Sequence, residues 1–330
     1  VRRYFGRKLL LYALTFVVAV TIDWMIPRFM PGDPVSTLIS KMALEPGAAE
    51  AMKGFFLEAF GLDRPIHEQY LGFWTALANG DLGISISAWP SPVTKVIMQA
   101  LPYTLALLIP SILLSFYVGN KFGAYAARRR WADNLVLPVG YILTATPYMW
   151  LGIILAWFFG LILGWFPLAG AYGFDIAPSL SLDFAGSLFH HWFLPFLSLF
   201  LVGLGGWAIG MRNLIIYELD TDYARYLSAL GAPSGLIRRY AYRNALLPQM
   251  TGLALSLGVV VAGALVTEVV FAYPGLGSLA LQALQSKDYF LLQGIFLFVI
   301  VGVLIANFII DIAYVIVDPR TRTGLQGTST

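Results

Sequence analysis

Cysteine is absent from the 330 residues, which removes disulfides, thiolate nucleophiles and cysteine-held metals together. Charge is scarce as well: Asp, Glu, Lys and Arg make up 12% of the chain, whereas a soluble domain carries about a quarter. A chain that is 58% hydrophobic and so poor in charge cannot clothe itself in a hydrated surface, so it reads as an integral membrane protein. No G-x-x-x-x-G-K-[ST] phosphate loop occurs, and neither a G-x-S-x-G elbow nor an H-E-x-x-H helix. Any ATP that drives this molecule is therefore hydrolysed on another chain. The three histidines, His67, His190 and His191, have no ligand spacing with carboxylates, and the pair beside Trp192 reads as interfacial. The net charge of +3 is dispersed to loop ends and offers no field for nucleic acid.

What is present in quantity is apolar sequence in long runs. Six segments reach the roughly 20 residues that a helix needs to cross hydrocarbon. They run over residues 9–29, 101–118, 135–163, 192–216, 246–271 and 290–317. The third is over-long and holds Pro147 and Gly152, which predicts a kink or a tilt, and Pro110 predicts a bend in the second. Arg2, Arg3, Arg7 and Lys8 precede a run too long for a signal peptide, so that run reads as the first anchor. The expected class is an all-α membrane protein of six spans.

Orientation follows from the basic residues. Fifteen of the 21 fall in the N-terminal segment, the second–third connection, the fourth–fifth connection and the C-terminal tail. The 164–191 connection has none, and the 272–289 connection has only Lys287. Both termini are thus expected on the cytoplasmic side of the membrane. The chain divides into residues 1–30 (cytoplasmic start and first span), an extracytoplasmic insert at 31–100, a five-helix core at 101–318 and a tail at 319–330. In the insert, PGDP at 31–34 and Asn79-Gly80-Asp81 read as turns, residues 55–60 and 62–77 as amphipathic helix. Trp74 and Trp89 suit either the outer headgroups or a partner.

Charges inside apolar runs cost about 2.5–3.5 kcal/mol each at a span centre, so they are informative. Asp23 can snorkel outward or pair with Arg28. Glu268 can line a pathway or cap a neighbouring helix. Asp311 shares a helical face with Asn307, Tyr314 and Asp318, which favours an interhelical hydrogen-bond cluster over a pathway role. No chain of buried charges suggests a proton relay. Gly203, Gly205, Gly206, Gly210, Gly252, Gly258 and Gly263 would let helix backbones approach closely.

One polar stretch interrupts the apolar half, TDYARYLSALGAPSGLIRRYAYRNALLP at 221–248. Tyr223, Tyr226, Leu227 and Leu230 share one helical face; Thr221 or Asp222 can cap the start, and Gly231 and Pro233 end the turn. Arg238, Arg239 and Arg243 follow as a basic cluster. Such a loop either lies on anionic lipid or docks a partner.

Taken in order, several motifs carry a family resemblance. They are FMPGDPV (29–35), FGLDRPIHEQYLGFW (60–74), NGDLGISI (79–86), LPYTLAL (101–107), TPYMWLGIILAWFFGLILGWFPLAG (146–170), RNALLP (243–248), EVVFAYPGLG (268–277) and DPRTR (318–322). Over nearly the whole chain they resemble the first permease subunit of peptide/nickel-type ABC importers, the oligopeptide and dipeptide permease B family. The resemblance implies a type I ABC importer permease fold and a non-catalytic role. It implies a heterodimer with a second homologous permease, two ATPase subunits that hold ATP and Mg, and an extracytoplasmic solute-binding protein. This chain would hold no cofactor and no metal. In that family the fourth–fifth loop is the EAA loop, whose short helix fits a cleft on the ATPase. The triplet maps to Arg225, Tyr226 and Leu227, with Tyr223, Ala229, Leu230 and Gly231 completing the coupling surface. The third place departs from the usual small residue, and the Gly231-to-Pro248 spacing is about one residue short. Oligopeptides are the leading cargo, with oligosaccharides or nickel complexes as alternatives. An autonomous channel or ion-coupled carrier is the competing class.

Overall fold

The computed structural model describes residues 2–29, 35, 36, 39, 46–59, 61 and 63–317. Every named element among them is helical: α1 (Arg2–Met25, continued by a 3-10 turn over Ile26–Phe29), α2 (Pro46–Ala59), α3 (Ile66–Ala78), α4 (Val93–Ala126), α5 (Arg130–Ala145), α6 (Tyr148–Leu155), α7 (Leu182–Leu219), α8 (Asp222–Ala229), α9 (Ser234–Val270), α10 (Leu276–Ser286) and α11 (Tyr289–Val317). Four helical stretches are long and apolar enough to span a membrane, and two bent pairs raise the number to as many as six. The expected turn at 31–34 and the tail beyond Val317 lie outside the described residues.

The third apolar run is two helices rather than one kinked span. Pro147 sterically disfavours α conformation at the residue before it, and Thr146 accordingly turns to φ −83°, ψ 122°. Pro147 then starts α6, which meets α5 at 102° and runs on as a π-helical stretch over Ala156–Ile162. Pro110 does not break its helix: α4 is continuous from Val93 to Ala126. A proline without an N–H leaves the carbonyl four residues back without its usual donor. Here the indole Nε1 of Trp192 donates to that carbonyl, Ala106 O, at 2.9 Å. The fifth run bends by 49° between Ser234–Gly258 and Val261–Val270.

The chain folds into two compact units. Of the described residues, one comprises those in 2–4, 104–273 and 305–317, and the other those in 5–103 and 274–304. In the first, α7 is the central element, packed on α5, α6, α8 and α9. Its glycines explain how the backbones come so close. A Cβ on Gly205 would stand 2.6 Å from Gly140 O, one on Gly210 would stand 2.7 Å from Gln249 Nε2, and one on Gly203 would stand 2.8 Å from Ser115 Oγ. Gly119 of α4 is equally tight, 2.9 Å from Leu204 O. Of the predicted small positions Gly258 alone has nothing within 4 Å.

The second unit is organised around a buried carboxylate. Asp288 precedes α11 and accepts from Leu291 N at 3.0 Å through Oδ1, as a helix-capping side chain does. Its Oδ2 accepts from Ser85 Oγ (2.6 Å), Ser87 N (2.8 Å) and Ser87 Oγ (2.8 Å). Val35, Phe56 and Ile86 form the adjoining core, with Trp89 and Phe290 against it. Trp89 therefore packs edge-on to Phe56, and Trp74 packs on Phe16 and Tyr70, each staying half-buried. Asp23 does not snorkel: it is 2% exposed, and neither of its carboxylate oxygens has a hydrogen-bond partner among the described residues. The Arg28 guanidinium lies 3.8 Å from the centre of the Trp24 ring and donates to Trp24 O at 2.7 Å.

Candidate functional site

The stretch between α7 and α9 forms a short, well-tethered helix. Asp222–Ala229 supplies two turns. Leu230 closes them, and Gly231 reverses the chain at φ +75°, a conformation costly for any residue with a Cβ. Ala232 N donates to Leu227 O, Gly231 N to Ser228 O, and Pro233 leads into α9. Thr221 occupies the N-cap position, but its hydroxyl does not cap. It donates backward to Glu218 O at 2.6 Å and so joins α8 to the end of α7.

The predicted apolar face divides in two. Tyr223 and Leu227 are half-buried, whereas Tyr226 and Leu230 are each 65% exposed. The residue that anchors the helix is Ala224, 3% exposed, where a short side chain lets α8 lie close on its neighbours. Arg225 and Ala229 face out beside Tyr226. Below lies a core of Ala124, Met211, Ile215 and Ala245, joined by Leu219, Tyr242 and Leu246, in which α4, α7 and α9 meet. A groove of about 660 Å³ runs along α8, lined among others by Arg128, Leu219, Ala224, Arg225, Ile237 and Arg238.

Polar ties complete the anchorage. Glu218 Oε2 accepts from Tyr223 Oη at 2.8 Å and from Asn244 Nδ2 at 3.1 Å, so one carboxylate holds α7, α8 and α9. Burial first, and then this carboxylate, push the Tyr223 hydroxyl above its ordinary pKa of 10.0. Arg225 donates to Asp220 at 2.7 Å, which raises the guanidinium pKa further, although both side chains are largely in water. Deeper in the same unit, Arg212 Nε and Nη2 reach the two oxygens of Asp133 at 2.7 and 2.6 Å, a fork joining α5 to α7.

Sequence reasoning did not find Glu218, Asn244, Asp133 or Asp288. Asp288 had a local signal, an acid immediately before an apolar run. Asp133 and Arg212 lie 79 positions apart and carry none.

The remaining candidates stand elsewhere. Glu268 is fully buried near the end of α9, before a turn in which Tyr273 N donates to Glu268 O at 2.8 Å. Asn307 and Asp311 are half-buried on α11. The side chain of Tyr314, and all of Asp318, lie outside the described residues. His190 Nε2 lies 2.6 Å from Trp165 O, and His191 Nδ1 lies 2.8 Å from Ser187 O.

Residues 119–323 match the family model described as "Binding-protein-dependent transport system inner membrane component". The chain is 31% identical to the di/tripeptide transport system permease protein DppB of Pseudomonas aeruginosa, over 97% of this chain and 98% of that protein. It is 32% identical to the probable D,D-dipeptide transport system permease protein DdpB of Escherichia coli, over 95% and 96%. It is also similar to the oligopeptide transport system permease protein AppB of Bacillus subtilis, at 31% over 94% and 96%.

Proposed function

The chain belongs to the binding-protein-dependent transport inner membrane components, as a permease subunit of a peptide ABC importer, and on that premise we propose that α8 couples it to separate ATPase chains. The observation that carries the proposal is the pair Tyr226 and Leu230, large apolar side chains left 65% exposed on a helix otherwise held by buried Ala224 and by the Tyr223 bond to Glu218. Burying both in a partner's cleft would supply about 2–4 kcal/mol. That biases a two-state bundle only if docking differs between the states. A helix held through Ala224 and Glu218 moves with the spans to which it is fastened. It serves as a lever, and its docking partner supplies the work.

In the full reading, six spans cross a prokaryotic inner membrane, with the bent pairs α5–α6 and the two parts of α9 each crossing once. Both termini and the 221–248 loop are cytoplasmic. The 31–100 segment faces outward toward a solute-binding protein, and a second homologous permease completes the pathway. ATP and Mg are held by two partner ATPases. Short peptides are the proposed cargo, because the named relatives are di/tripeptide, D,D-dipeptide and oligopeptide permeases; oligosaccharides and nickel complexes rank below them. Glu268, Asn307 and Asp311 are the proposed pathway or packing residues.

The test is reconstitution of the assembled transporter with Leu227→Asp and with Gly231→Pro. The second removes the Gly231 N–H donor and is incompatible with φ +75°. Both variants should insert in the membrane yet hydrolyse ATP without peptide uptake. Normal coupled uptake in both would refute the lever, and transport by this chain alone would refute the dependence on ATPases.

A further inference from the structure

A second feature of the same unit lies where the later part of the 221–248 loop meets the end of α4; it shares Arg128 and Arg238 with the groove along α8, but the coupling scheme makes no use of it. Lys121, Tyr125 and Arg128, at and just beyond the end of α4, and Arg238, Arg239 and Tyr242, at the start of α9, enclose a cavity of about 390 Å³. Four cations thus converge on one small space. No described acid lines this cavity, and three acids of the same unit are engaged elsewhere: Asp133 by Arg212, Glu218 by Tyr223 and Asn244, and Asp220 by Arg225. Among the described residues, no recorded ion pair engages Lys121, Arg128, Arg238 or Arg239. Like charges held together in this way favour an anion.

Two observations say which anion. The Lys121 ammonium lies 5.2 Å from the centre of the Tyr242 ring and 5.6 Å from that of Tyr117, so two aromatic faces hold the cation beside the cavity. Along α4 from Lys121, back into the apolar run, Tyr117, Leu114 and Leu113 are 61%, 44% and 58% exposed. The cavity is therefore continuous with apolar surface on a membrane span, the place where a lysine extends its head to the interface and its stem along lipid. A soluble anion would use the cations and leave that strip unused. A phospholipid uses both, with the phosphate among the cations and an acyl chain along α4.

We propose that this cavity is a binding site for the phosphate headgroup of an anionic phospholipid. The occupant sits between the ends of α4 and α9, two helices of the core on which α8 rests. It bridges them by charge, and this role stands apart from ATPase docking.

The experiment uses the full chain purified in its transporter complex and placed in nanodiscs of phosphatidylglycerol and phosphatidylcholine. Lipid retained after mild detergent extraction is read by native mass spectrometry. Wild type should retain phosphatidylglycerol selectively, and Lys121→Gln/Arg239→Gln should lower the selectivity by roughly fivefold for each charge removed. Both side chains are exposed, so folding is not at stake. Lys121→Arg/Arg239→Lys should keep the selectivity, and so should Arg129→Gln/Arg130→Gln, which removes two neighbouring exposed charges outside the cavity. Equal retention of the two lipids by wild type, or unchanged selectivity in the Gln pair, would overturn the proposal. Displacement of the lipid by millimolar inorganic phosphate would reassign the cavity to a soluble anion. Loss of co-purifying ATPase with lipid selectivity intact would make it a protein-docking surface, and either result defeats the lipid assignment.

Discussion

Removing one hydroxyl, in Tyr223→Phe, should loosen α8 without disturbing its packing. The ring stays half-buried beside Ala224 and the backbone is untouched; what goes is the 2.8 Å donation to Glu218 Oε2. A hydrogen bond to a charged acceptor is worth about 1.5–3 kcal/mol when its loss leaves the acceptor bare. Glu218 keeps the Asn244 amide at 3.1 Å and is only half-buried, so water can replace the lost donor. The expected cost is accordingly about 1 kcal/mol, or roughly a fivefold rise in the local opening constant. Hydrogen exchange on the assembled transporter reads this directly. Amides of residues 226–229, bonded within α8, should exchange about five times faster, while the middle of α7 is unchanged. The bond also has a pH window. The folded Tyr223 hydroxyl titrates above its unfolded value, so its contribution is complete below pH 10.0 and lost as pH rises through the elevated value. Protection of α8 should thus be flat across the neutral range and fall only beyond it. If Tyr223→Phe exchanges as wild type does while Glu218→Ala loosens the helix, Asn244 carries the tie and the reasoning about Tyr223 is wrong.

Three further perturbations follow from the packing. Alanine at Arg212 leaves the Asp133 carboxylate about one-fifth exposed and without its fork, and should cost about 1–3 kcal/mol in denaturation of the detergent-solubilised chain; a coupling energy near zero in a double-mutant cycle with Asp133→Ala would remove the fork from the account. Gly205→Leu drives a side chain into the carbonyl of Gly140 and should abolish the folded yield, whereas Gly258→Ala should be tolerated, and the reverse order by size-exclusion yield would contradict the backbone contact. Asp288→Ala strips four donors of one buried acceptor and should destabilise by about 3–5 kcal/mol, with protease cleavage newly admitted near Ser85–Ser87; an unchanged cleavage pattern would show that the loop is held by other means.

The apolar runs made the helical class and the candidate spans readable, because crossing hydrocarbon demands length and hydropathy that any sequence must display. The short loop helix was readable for a similar reason: Gly231 and Pro233 mark its end chemically. Side-chain direction was less accessible. The period of 3.6 puts Tyr223, Tyr226, Leu227 and Leu230 on one stripe, but only the surrounding helices decide that Ala224 turns inward and Tyr226 outward. The two prolines show the same limit. Pro147 and Pro110 carry the same local penalty, yet one ends a helix and the other is accommodated, with the Trp192 indole, 86 positions from Ala106, in place of the missing donor. Local rules state what a residue needs, and the distant chain determines whether the need is met. Asp133 with Arg212 lies wholly on that second side.

The seam along α7 has a mechanical consequence. Where Gly205 meets Gly140, backbone lies against backbone, and Leu143, Thr144 and Ile209 close around the contact on either side. A methyl group added at Gly205 would act as a mechanical stop.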